Sequence, residues 1–253
     1  MSIPGEVLDR SALEEATPAL RNGEHTFSAY AAWPRDAAAT PGILVVHEAY
    51  GVNAHIEDVC RRFAAQGFAA LAPDLFARIG GPPDPGDVAA VVAKIGELRD
   101  ADAVSDMRVG VEWLRAQPRS NGRIGAIGFC MGGRLALLLA THRGVLDAAV
   151  DCWGGRITRR TATVDEAHPE VVVERVAQLS CPLLGIFGAE DQNPNGDDIE
   201  ELRAALQQHG KAHRIVIYED AGHALFADYR PTYKEKAAHA AWGEMLGWFA
   251  PLR

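Results

Sequence analysis

Arg123–Leu137 reads RIGAIGFCMGGRLAL, and its interpretation decides the fold. An apolar run, Ile124–Phe129, reaches Gly128-Phe129-Cys130-Met131-Gly132, and a pattern of helical period, Met131–Thr141, starts at once. A strand that reverses sharply into a helix holds the residue at the turn in a strained backbone conformation, and small residues must stand two before and two after it. Gly128, Gly132 and Gly133 satisfy that demand. The pattern is the G-x-nucleophile-x-G elbow, with Cys130 where serine is commoner. The geometry presents the sulfur at the carboxyl edge of a sheet and at the positive end of the following helix, which favours a thiolate. Glycines that merely let a helix pack on a strand, with Cys130 a small buried hydrophobe, are the plain alternative.

Outward from the elbow, short apolar runs alternate with helical patterns. Ile43–His47, Phe68–Leu75, Ala148–Trp153, Leu183–Phe187 and Arg214–Tyr218 read as strands. Helical spacing covers Ile56–Gln66, with Gly67 placed to end it, and then Val104–Ala116, a stretch around Asp198–His209, and Tyr233–Trp248. Near-continuous apolar strands separated by helices predict a mostly parallel, twisted sheet covered on both faces. His25–Trp33 alternates more and predicts an antiparallel edge strand. Residues 1–24 read as an N-terminal extension to one domain spanning 1–253. Ile79–Gly86 and Thr158–Pro169 read as surface loops, and Ile157–Ser180 as a partial lid, a subunit contact or a sheet-covering helix.

A cysteine nucleophile needs a base, and the base an orienting acid. In an elbow fold these follow in the order nucleophile, acid, histidine, each on a loop after a later strand. Asp191 follows Leu183–Phe187 in Gly188-Ala189-Glu190-Asp191, with Glu190 as its competitor, while Asp197 and Asp198 read as a helix cap. His223 follows Arg214–Tyr218 in Glu219-Asp220-Ala221-Gly222-His223. Glu48, just past the first core strand, points towards the elbow, where a contact with the Cys130 thiol is expected; the same turn usually supplies an oxyanion-hole amide. HEAYGVNAH lacks the second histidine of H-E-x-x-H, since Gly51 stands there, so no metal and no cofactor is expected.

The formal charge of −9 argues against a nucleic-acid partner. No stretch approaches the eighteen or so apolar residues that a membrane span needs, and MSIPGEVLDR lacks a basic-then-apolar leader. Four cysteines without C-x-x-C spacing fit a reducing, cytoplasmic setting better than a disulfide framework. A monomer or small homo-oligomer acting on a small ester or lactone is the resulting expectation.

Four segments, HEAYGVNAHIEDVCRRFAAQGFAALAPDLFAR, SNGRIGAIGFCMGGRLAL, GAEDQ and YEDAGHALFADYRP, together resemble the dienelactone hydrolase family from about His25 to Leu252. The resemblance implies a single α/β-hydrolase domain without a large cap. It further implies Cys130, Asp191 and His223 as a triad and Glu48 against the thiol. The backbone amides of Ala49 and Met131 would form the oxyanion hole. The family also uses two arginines for a substrate carboxylate. Here Asp228 stands where one would follow the histidine, and Ile79–Leu98 contains none. Arg78 and Arg230 are the nearest substitutes, and Phe76, Trp153 and Phe226 candidate apolar walls of the substrate site. A carboxylic-ester hydrolase acting through an acyl-thioester is the leading reading. A small-molecule binding protein on the same scaffold, or an acyltransferase or thioesterase using the same triad, are the alternatives.

Overall fold

Apolar runs buried on both faces supply the centre of the molecule. The computed structural model describes residues 2–253, so Met1 of the expected extension lies outside the described residues. In chain order the strands and helices are β1 (Leu13–Ala16), β2 (Ala19–Asn22), β3 (His25–Pro34), β4 (Thr40–Val46), α1 (Ala54–Ala65), β5 (Ala69–Pro73), α2 (Val88–Glu97), α3 (Asp100–Arg115), β6 (Ser120–Phe129), α4 (Met131–Ala140), β7 (Ala148–Cys152), β8 (Leu183–Gly188), α5 (Gly196–Gln208), β9 (His213–Tyr218) and α6 (Glu235–Phe249). Every residue of β4, β5, β7 and β8 is buried.

Among the described residues nine strands form one sheet, ordered β1-β3-β5-β4-β6-β7-β8-β9, with β2 also on β3. From β5 to β9 the neighbours are parallel, and β3 joins β5 antiparallel. β3 is therefore antiparallel, as its alternation suggests, but it is not the bare edge. β1 pairs with its second half, from Leu13 opposite Pro34, and β2 with its first half, from Ala19 opposite Ser28. The residues before His25 are thus partly built into the sheet, and the expectation of a plain extension is corrected. These strands escape a sequence reading because each has four residues and buries only one of them.

One face of the sheet carries α1 and α6, joined by Phe63 against Trp242 at 4.8 Å between ring centroids. The other carries α3 and α4. There Gly110 of α3 lets the helix close on the sheet, for a Cβ would stand 2.9 Å from Leu44 Cδ1. Asn53 caps α1 by accepting the Ile56 N–H, and Gly67 (φ +88°) ends it as expected. α2 is a helix the periodicity does not indicate; Asp87 caps it by accepting the Ala90 N–H. At α5 the cap is Asn195, with Asp198 completing a reciprocal capping box, which refines the assignment to Asp197 and Asp198.

The chain runs from β4 to β5 on one side and returns to β6 on the other. This reversal opens a crevice beyond the carboxyl ends of β4 and β6, where open α/β sheets bind ligands.

Candidate active site

The elbow is set by steric demand. Cys130 has φ 55° and ψ −119°, an uncommon conformation for a residue with a Cβ. Its N–H donates to the Cys152 carbonyl at 3.0 Å, which ties the turn to β7. A Cβ on Gly128 would stand 1.8 Å from the Gly132 carbonyl oxygen, and one on Gly132 would stand 2.3 Å from that of Val46. A Cβ on Gly133 would meet Asp151 Oδ1 at 2.4 Å. Strand, turn and helix are therefore pressed together and against the end of β4, and only glycine fits at these three positions. α4 starts directly behind the sulfur, so its positive end faces Cys130.

All four cysteines are free. Cys60, Cys152 and Cys181 are buried, and burial pushes their thiols up, that of Cys181 to about 12. Cys130 differs in being only partly buried and in opening onto a cavity of about 670 Å³. Asp191 and His223 line the same cavity.

His223 Nδ1 and Asp191 Oδ2 are 2.7 Å apart, bringing together loops that follow β8 and β9. Asp191 is buried and its Oδ1 accepts the Asn193 N–H at 2.9 Å, so the carboxylate is oriented from both sides. Glu190 turns outward instead and is exposed. Burial opposes a charge on His223, but hydrogen bonds to Asp191 and Cys130 and their negative charge outweigh it, raising the imidazole to about 10. The next residue, Ala224, has φ 62°, so the backbone leaving the histidine is itself strained.

His47 was not singled out from sequence, yet it shapes the facing loop. It is wholly buried, and burial holds its pKa below the usual value. Its Nε2 accepts the Leu75 N–H at 3.1 Å, which leaves Nδ1 to donate to the Glu48 carbonyl at 2.7 Å. A neutral imidazole thus ties the ends of β4 and β5 together and fixes the peptide leading to Ala49. Among the described residues neither the Ala49 nor the Met131 N–H has a protein acceptor.

Glu48 is placed differently from expectation. Its carboxylate accepts the Tyr229 hydroxyl and lies 3.6 Å from Arg230 Nη1, while no hydrogen bond joins it to the thiol among the described residues. At 2% exposure a carboxylate needs such partners, and a cation with a phenol serves better than a thiol. Arg230 in turn stacks on Tyr50, 4.8 Å from the ring centroid. Arg78 is removed from the cavity wall by a two-pronged pair with Asp106, at 2.7 and 2.8 Å. Phe76 packs on His47, and Phe226 is stacked between Phe129 and Trp242, both wholly buried. They are core, not cavity wall. Trp153 packs behind the His223 ring, edge to face at 6.5 Å, and is 1% exposed. Asp228, at the position where the resemblance implies an arginine, pairs with buried Arg62 and with His55. Burial works against its charge, but these partners prevail and hold it down to about 2.

The cavity wall that sequence reading missed comes from α2, α3, α4 and the segment after β7. Val92, Ile95 and Leu135 line it apolarly, and Arg134, Arg156 and His168 bring polar groups. Part of Ile157–Ser180 therefore covers the crevice, with Thr161, Thr163 and His168 on the lining. Among the described residues no three His, Cys, Asp or Glu side chains are grouped to hold a metal ion. No helix among them is long and apolar enough to cross a membrane.

The parallel sheet, the elbow and the strand-end pair define the α/β-hydrolase class. The chain belongs to the dienelactone hydrolase family, whose model matches residues 27–252. A protein of Salmonella typhimurium named "Putative carboxymethylenebutenolidase" is 37% identical over 224 residues, 88% of this chain and 82% of its own. The carboxymethylenebutenolidase of Pseudomonas putida is 32% identical over 240 residues, 90% of this chain and 93% of its own. A crystal structure from Klebsiella pneumoniae subsp. pneumoniae, described as a "Putative Dienelactone Hydrolase", superposes with a TM-score of 0.89 at 33% identity, covering 95% of this chain and 99% of that one.

Proposed function

We propose that the chain hydrolyses a carboxylic ester or lactone through Cys130, with His223 as base and Asp191 as its orienting acid. The observation that carries this is the 2.7 Å Asp191–His223 pair beside a strained elbow cysteine in one cavity. Family membership, and relatives named for the opening of a butenolide, support the reaction class.

The Cys130 sulfur, its proton held by His223, attacks the carbonyl carbon and forms a C–S bond. The carbonyl electrons move onto oxygen, and the N–H groups of Ala49 and Met131 receive that oxyanion. As the tetrahedral centre collapses, the C–O bond breaks and the departing alkoxide or enolate takes the proton from His223. Water then gives a proton to His223 and attacks the acyl-thioester, releasing the acid and restoring the sulfur. Asp191 keeps Nδ1 protonated, so that Nε2 is free to exchange the proton.

Hydrolysis of p-nitrophenyl acetate and of an unsaturated lactone, by wild type and Cys130→Ala in parallel, tests this. The variant is expected to lose on the order of 10³-fold or more in kcat/KM, and a thioester adduct on Cys130 should appear in the mass spectrum of quenched wild type. Full activity in Cys130→Ala would end the scheme.

A further inference from the structure

The two edges of the sheet are built differently. On one side β1 and β2 form the outer edge beside β3, four residues each, with Glu14, Glu15 and Arg21 along them. Short, charged strands of this kind discourage pairing with another chain. On the other side the sheet ends at β9, six residues of which Ile215, Val216, Ile217 and Tyr218 are consecutive and apolar. It contains no proline, and its pairing with β8 runs without a bulge. Its residues are half-buried or exposed, whereas every residue of β7 and β8 is buried. A flat apolar edge with no such protection is a template for a further strand.

The backbone shows which groups this edge presents. At one end the Ala212 carbonyl accepts the Leu183 N–H, and at the other the Tyr218 carbonyl accepts the Ala189 N–H, both at 3.0 Å. Backbone groups alternate in direction along a strand. Arg214, Val216 and Tyr218 therefore turn theirs towards β8, and those of His213, Ile215 and Ile217 point outward. Among the described residues no strand pairs with them.

The order of charges identifies the partner. The apolar run is preceded by Lys211, His213 and Arg214 and followed by Glu219 and Asp220. A second copy running antiparallel lays the basic end of each strand on the acidic end of the other, whereas a parallel copy sets like charges together. Arg214, Glu219 and Asp220 are exposed. Among the described residues neither acid has an ion-pair partner, and Arg214 gives Glu244 one N–H, at 2.6 Å, of the five a guanidinium carries.

The alternation also limits the register, because opposed residues of an antiparallel pair both present or both withhold their backbone groups. A two-fold axis at Val216 meets this condition. Ile215 then stands opposite Ile217, His213 opposite Glu219, and Arg214 beside Tyr218 and diagonal to Asp220. An axis at Ile215 would set His213 against Ile217, and one at Ile217 would set Glu219 against Ile215.

We propose that β9 is the interface of a two-fold homodimer, in which two copies of this chain join their sheets edge to edge through Ile215 and Ile217. Arg214 of each copy lies against the partner's Asp220. The proposal is independent of the ester-hydrolase reading.

Sedimentation equilibrium of the wild type is expected to give the mass of two chains, with the amides of Ile215 and Ile217 protected from hydrogen exchange in the dimer. Arg214→Glu and Asp220→Arg should each raise the dimer dissociation constant about tenfold or more, because each sets like charges together at two symmetric contacts. Mixing the two variants restores opposite charges at both contacts and should return the constant to within about threefold of wild type. Ile217→Pro removes an N–H that β8 does not use, and should leave a folded single chain by circular dichroism; if it does not fold, the mixing experiment still decides. A wild type that stays a single chain up to about 100 µM overturns the proposal and leaves the edge to an extended segment of another protein. A dimer that both charge variants leave unchanged overturns it too, since the copies then meet through another surface, as does a loss that mixing fails to repair.

Discussion

Arg134 and Arg156 line one cavity and differ in what surrounds the charge. Arg134 projects from α4, is 7% exposed, and gives two N–H groups to Asp100 at 2.6 and 2.8 Å. Arg156 sits half-buried on a loop, and its guanidinium has a threonine hydroxyl as its sole hydrogen-bond partner among the described residues. A guanidinium buried as deeply as Arg134 is tolerable only with a matched carboxylate, and once matched it has little left to offer a ligand. Partnership, more than proximity to the nucleophile, separates the two: Arg134 is held in the wall by a carboxylate, and Arg156 has none among the described residues. Arg62, Arg78 and Arg230, each beside a carboxylate, belong with Arg134.

The sharpest way to break this comparison is to unpair the matched arginine. Arg134→Met leaves Asp100 buried without its cation, and the unfolding free energy in urea is expected to fall by about 3–5 kcal/mol. Arg134→Met with Asp100→Leu should regain most of that loss, because replacing both charges by apolar groups removes the desolvation cost. A single variant as stable as wild type would show that the pair does not hold this wall.

A smaller effect is expected at the histidine. His223 has its folded pKa raised from 6.5 to about 10, so its contribution to stability is fully present below about pH 6.5 and is lost as pH rises through about 10. Asp191→Asn removes one of the partners that raise it. The fall in unfolding free energy between these pH values should therefore be shallower in the variant, followed by denaturant titration at several pH values. An unchanged slope would mean that Asp191 does not set the charge of His223. The smallest effect belongs to the unmatched arginine: Arg156→Gln should leave unfolding free energy within about 0.5 kcal/mol of wild type. A large loss of stability there would place Arg156 with Arg134.

Much of this architecture was legible from residue type alone. Strands buried on both faces must be apolar throughout, so β4, β5, β7 and β8 announce themselves. The elbow is legible because carbonyl oxygens leave no room for a Cβ at Gly128 or Gly132. Other parts carry no such signature. β1 and β2 are short and bury one residue each, and what makes them strands is the free side of β3. Phe76 and Phe226 look the same in sequence whether they line a cavity or fill a core.

By itself, then, the sequence determined a parallel sheet, a cysteine at its elbow, and the order in which an acid and a histidine return to that edge. These follow from local demands: apolar strands for burial, glycines for close approach, loops after successive strands. Only the tertiary structure decided which charges meet. Glu48 pairs with Tyr229 and Arg230, Asp228 with Arg62, and Arg156 is left facing the cavity. Those pairings join residues far apart in the chain, Tyr229 and Glu48 by 181 positions, and no local pattern encodes them, because a charge takes its partner from whatever the fold brings within reach.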